Sequence, residues 1–224
     1  MARPRNLERR GAIELAAHRL FVSTGYSQAS YSDIAEASAV DRSLVQYYFP
    51  RKAELLVSFL NRVLALAEVS VRERGLDSGG GFTTLFRIGE AYFAFLLQNE
   101  ARRRLALETF SSREITSELV FLNFEWVTEY LEVPERDPQE IEEDFDLVVG
   151  GAYELCYRHL NRGENVKSAA LVHRMLLAFM TLSGIPPEES EQTLAASALE
   201  ERDKELVLQE IATLLEDDGG ARSS

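Results

Sequence analysis

The chain has 224 residues, 46% apolar and 27% charged, which is enough to bury a sizeable core and too apolar for disorder through its bulk. Its 24 Lys/Arg against 37 Asp/Glu give a net charge of −13, which taken as an average speaks against a nucleic-acid partner. The average conceals a division: residues 1–62 hold nine basic and six acidic side chains, a local +3, and the remainder holds 15 against 31, or −16.

Apolar residues recur at three and four, so every predicted element is a helix. The first covers residues 6–24, with Ile13, Ala16, Ala17, Leu20 and Phe21 on one face and Gly25 as its stop. Ser30 followed three residues on by Asp33 reads as a capping pair for a short helix over 31–38. Asp41 is placed to cap a second short helix over 42–48, closed by Phe49 and Pro50. Two helices of about two turns, joined by a tight turn and braced by a longer one, outline a helix-turn-helix. A long amphipathic helix over 52–74 then links the two parts of the chain, ahead of a glycine-rich stretch at 75–81.

Aromatic-rich helices follow at 82–99, 101–113 and 116–133, with Pro134 as a break. Asp137, Pro138 and Glu140 supply cap, first-turn proline and acid for a helix to residue 161, ended by Arg162 and Gly163. Residues 166–182 are strongly apolar, and 187 to about 215 are amphipathic and acidic. The tail at 217–224 is expected to be disordered.

The segment 25–55, GYSQASYSDIAEASAVDRSLVQYYFPRKAEL, resembles the DNA-binding region of TetR-family transcriptional regulators. The resemblance rests on Gly25, Tyr26, Ser30, Ile34, Ala35, Ala37 or Ser38, Val40, Tyr48, Phe49, Lys52 and Leu55 at the family's spacing. Four positions depart from the pattern: Ala39 for the turn glycine, Asp41 for the usual Ser, Gln46 for a common tyrosine, and Arg51 for the Ser/Asn cap of the linking helix. The resemblance implies an all-α fold, with a three-helix helix-turn-helix domain at 1–50, a helical effector-binding and dimerisation domain at 51–216, and the tail at 217–224.

A recognition helix lays its N-terminal residues on base edges in the major groove. Arg42 suits guanine O6/N7, Gln46 suits adenine N6/N7, and Ser43 adapts to several edges. Tyr47, Tyr48 and Lys52 stand where the family contacts backbone phosphate, and Ser30 and Ser32 suit the same task from the preceding helix. Arg3 and Arg5 form a candidate arm along the DNA.

The acidic body is expected to dimerise and hold an effector. Phe93, Phe110, Phe121, Trp126, Tyr130 and Tyr153 are candidate walls of an apolar pocket, against the alternative of ordinary core. Gly150, Gly151 and Ala152, with the apolar helix after them, suit close packing in a two-fold four-helix interface. The expected partners are a double-stranded DNA operator, a small-molecule effector and a second copy of the chain, with no membrane.

Cys156 has no second cysteine for a disulfide, and no segment reads as a signal peptide or a span, so a cytoplasmic location is expected. No cofactor and no catalytic activity are expected. Cys156 and His159, three apart on a helix face, leave the alternative of a helical metal-binding protein or enzyme with a vestigial head. The expected function is a ligand-responsive regulator, a repressor released from a palindromic operator by its effector.

Overall fold

A computed structural model describes residues 4–131 and 136–217. Arg3, Pro134, the tail residues 218–224 and the side chain of Arg5 lie outside the described residues. Among those described there are eleven helices and no strand.

The head is α1 (Pro4–Ser23), α2 (Tyr31–Ala37) and α3 (Arg42–Tyr48). Ser30 and Asp33 close the predicted capping box: Asp33 N donates to Ser30 Oγ at 3.2 Å, and Ser30 N donates to the Asp33 carboxylate at 2.8 Å. Asp41 occupies the N-cap of α3 but makes no side-chain cap bond, contrary to the expectation. Its backbone carbonyl already accepts from Leu44 N at 2.9 Å and Val45 N at 3.2 Å, and its carboxylate stays in solvent. Ala39 adopts φ +53°, the left-handed turn conformation for which the missing glycine is suited. Ile13, Ala17, Phe21, Ile34, Val45 and Phe49 fill the space between the three helices.

The 22-residue α4 (Lys52–Glu73) buries Leu55, Leu56, Phe59, Leu60 and Val63 and carries the core without interruption from head to body. Helices α5 (Gly81–Leu97), α6 (Glu100–Ser111), α7 (Arg113–Thr128), α8 (Pro138–Asn161) and α9 (Ser168–Leu182) make the body. Central α5 touches α4, α6 and α9, while α8 packs on α6, α7 and α9. Asn99 and Ser112 cap α6 and α7, and Asp137 caps α8, its carboxylate accepting from Gln139 N at 2.8 Å.

The amphipathic acidic stretch from 187 forms two helices, α10 (Pro187–Ala195) and α11 (Glu201–Asp217). Side chains of α5 cause the break by taking over backbone groups that a continuous helix would pair. Leu199 N donates to the buried Glu90 carboxylate at 2.9 Å, and Arg87 Nε donates to Ser197 O at 3.2 Å. Lys204, in the first turn of α11, lies 3.5 Å from Glu90 and supplies the countercharge.

Candidate DNA-binding face and effector cavity

Helix α3 buries Val45 and turns Arg42, Ser43, Gln46 and Tyr47 outward together. Tyr47 is 76% exposed, an unusual position for a large aromatic side chain with no partner to cover it. Tyr48 is half-buried with its ring edge against Tyr47, centroids 5.4 Å apart. Ser30 and Ser32 are exposed at the start of α2. Ser30 Oγ accepts within the capping box and keeps its own proton available to donate.

Lys52 lies differently. Its Nζ donates to Tyr26 O at 2.8 Å and Ala29 O at 3.0 Å, and sits 4.4 Å from the centre of the Tyr26 ring. Burial pulls this ammonium below its ordinary pKa, against the opposing effect of the Glu108 carboxylate. Two of its three protons therefore tie the 26–29 loop to α4. Tyr31 Oη performs a similar task at the other end of the motif, placed 2.9 Å from Phe49 O and 3.1 Å from Pro50 O.

The body grips the head through polar contacts. Glu108 on α6 accepts from Tyr26 N at 2.7 Å and Ser27 N at 3.2 Å, and Arg104 donates to Ser23 O at 3.2 Å. Gly25, at φ +108°, permits this approach, since a Cβ there would lie 3.3 Å from Arg104 Nε. Arg51 meets three carboxylates, Glu54 at 2.9 Å, Glu114 at 3.1 Å and Glu118 at 3.4 Å. As solvated charge alone it would be unremarkable; here it spans from the α4 N-terminus to α7.

Inside the body, α4, α5, α7, α8 and α9 line a cavity of about 90 Å³. Of the six predicted wall residues, Phe93, Trp126 and Tyr153 line it. Phe110, Phe121 and Tyr130 do not. Phe110 stands behind Tyr153, stacked on it at 5.0 Å. Phe121 points outward at 60% exposure, and both it and Phe110 line an outer groove between α6, α7 and α8. Tyr130 is held by Glu68 and Arg72, its Oη donating to Glu68 at 2.5 Å and accepting from Arg72 at 2.6 Å. Burial and the Glu68 carboxylate push the Tyr130 hydroxyl up to about 12.

Sequence reasoning missed Asn123, whose Nδ2 donates to Tyr153 Oη at 3.3 Å on the cavity wall. An amide amid the apolar run 119–127 was the available signal. It also missed Glu68, a carboxylate on α4 that accepts from Trp126 Nε1 at 2.6 Å and so joins the cavity wall to the helix leading from the head.

Among the described residues no three His, Cys, Asp or Glu side chains are grouped to hold a metal. Burial raises the Cys156 thiol to about 12, and His159 Nδ1 is paired with Glu164 at 2.5 Å. No helix among the described residues is long and apolar enough to cross a membrane.

The architecture is thus a helix-turn-helix with an outward-facing second helix, joined by a long helix to a bundle with an apolar cavity. Residues 13–59 match the family model of bacterial regulatory proteins of the tetR family. The chain is 30% identical to FasR of Mycolicibacterium smegmatis, described as an HTH-type transcriptional activator, over 101 residues. The match covers 45% of this chain and 46% of that one, so it spans about half the length of that relative. The fold is similar to that of a tetR-family transcriptional regulator from Streptomyces coelicolor, with TM-score 0.52, 21% identity, and 96% and 99% of the two chains covered. It is also similar to RolR crystallised with resorcinol, with TM-score 0.50, 11% identity, and 88% and 97% covered.

Proposed function

We propose that the chain is a homodimeric repressor that reads a palindromic operator with one α3 helix per half-site and is released by a small molecule bound in the body cavity. The observation that carries this reading is the shared outward face of Arg42, Ser43, Gln46 and Tyr47 on α3. Arg42 and Gln46 are bidentate partners for guanine and adenine in the major groove, while Ser43 and Tyr47 flank them toward edge and phosphate. Ser30, Ser32 and Tyr48 add phosphate contacts. Lys52 contributes mainly by fixing the 26–29 loop, with one proton left for phosphate.

Support for the dimer comes from α8 and α9. Leu147, Gly150 and Gly151 are exposed on α8, nothing lies within 4 Å of a Cβ built at either glycine, and Ala170, Arg174 and Ala178 are exposed on α9. Ala152, Leu171 and Phe179 instead face the subunit interior. Two heads at half-site centres about 34–36 Å apart read one face of B-DNA. The Glu68–Trp126 bond gives the cavity a route to the head through α4, and the Glu108 contacts hold the head to α6.

The similarity to an activator favours activation as the second reading, with the same DNA face and cavity. A gel-shift against the DNA upstream of the protein's own gene tests the DNA-binding claim, and a promoter fusion decides the sign of control. A salt-sensitive shift lost in Arg42→Ala supports the assignment; no sequence-specific shift at micromolar protein refutes it.

A further inference from the structure

We infer that the effector is an uncharged, largely apolar molecule of about ring size whose single polar group takes over the Asn123–Tyr153 hydrogen bond. The inference rests on the effector role proposed above for the cavity, and adds the chemistry that role requires.

No charged side chain lines the cavity among its described residues, and the polar groups on its wall are few. Trp126 Nε1 is already committed to Glu68, and Glu68 is itself engaged by Trp126, Tyr130 and Arg72. An ion entering this space would leave its hydration shell and meet no countercharge, a cost that falls on anions and cations alike. On the wall, Asn123 and Tyr153 are bonded to each other, at a long 3.3 Å. A hydroxyl or carbonyl on the ligand can accept from the Asn123 amide or receive the Tyr153 proton, exchanging one hydrogen bond for another without leaving a buried group unpaired.

Size follows from volume. The cavity's 90 Å³ is roughly six to nine times the ~10–15 Å³ that one water requires, which corresponds to a ligand of about that many heavy atoms. Tyr153 also forms part of the outer groove, whose rim carries Glu142, Asp146 and Glu154 against the single Arg113.

Trp126 is the only tryptophan in the chain and stands on the cavity wall, so its emission reports occupancy directly. The probes are 2-phenylethanol, ethylbenzene, phenylacetate and 2-phenylethylamine, which share a ring and differ in polarity and charge. At about pH 7.5 phenylacetate is an anion and the amine a cation. Titration of the full-length protein, followed by Trp126 emission and by melting temperature, should show the alcohol binding at least tenfold more tightly than either ion. Asn123→Leu and Tyr153→Phe, each checked for an unchanged melting temperature without ligand, should abolish the advantage of the alcohol over ethylbenzene. Either ion binding within tenfold of the alcohol, or an alcohol advantage that survives both substitutions, overturns the inference while leaving the cavity a ligand site. If none of the four probes binds, ethylbenzene included, the inference and the effector reading of the cavity fall together.

Discussion

Ala39→Gly is expected to stabilise the protein. Ala39 closes the turn between α2 and α3 at φ +53°, where an L-residue with a Cβ is strained by roughly 1–2 kcal/mol. Glycine removes that strain. It also adds conformational freedom to the unfolded chain, which offsets about 0.4–1 kcal/mol of the gain. Ala39 is exposed, so deleting its methyl group forfeits little burial. The net is a stabilisation of roughly 0.5–1 kcal/mol, or about 1–4 °C in Tm for a chain of this length. Urea unfolding and thermal melts measure it, with Ala35→Gly as the control: Ala35 lies buried within α2, where the same change should destabilise. Operator affinity should stay unchanged, because the turn keeps its geometry. A loss of stability at Ala39→Gly comparable to that of the control would refute the strain at this turn.

Gly81→Ala should lower Tm through a backbone clash, since a Cβ there would lie 1.9 Å from Tyr130 O, and an overpacking cost of about 1–3 kcal/mol is expected. Arg42→Ala should reduce discrimination between operator and mismatched DNA by about 1–3 kcal/mol, measured by competition gel-shift. Arg51→Ala should change stability little, as is usual for exposed ion pairs, and any difference measured by urea unfolding should shrink in high salt. Hydrogen bonds from the Ser30 backbone and then the Ser30 side chain hold the Asp33 carboxyl below its ordinary value of 3.8. Its contribution is thus complete above the unfolded value and lost as pH falls through the lower folded one, so the stability gap between wild type and Asp33→Asn should close on acidification.

The helix-turn-helix was legible because its signals are local. The Ser30/Asp33 box and the Phe49-Pro50 stop bracket α2 and α3, and α3 begins and ends at the predicted Arg42 and Tyr48. The α10/α11 break was not legible, because the groups that impose it, Glu90 and Arg87, are more than 100 residues away in sequence. Aromatic recurrence in the body marked residues suited to burial but not the direction each faces. Hence Trp126 and Tyr153 line the cavity while Phe121 meets solvent and Tyr130 is bound to Glu68. Arg51 and Lys52 illustrate the same limit for charges, since the partners that define their surroundings, Glu114, Glu118 and the carbonyls of Tyr26 and Ala29, come together only on folding.

Charge divides along the same line as structure. The +3 over residues 1–62 belongs to the segment presenting α3, and the −16 to the rest of the chain, so on the proposed function DNA would attract the one and repel the other. A head of only +3 provides little nonspecific affinity, and specific contacts must supply most of the discrimination. The central claim is therefore tested most directly by titrating the protein, at one fixed salt concentration, against its own upstream DNA and against a scrambled duplex of equal length. The upstream DNA should bind tighter by a factor of about 10³ or more. Equal affinity for the two duplexes would contradict it.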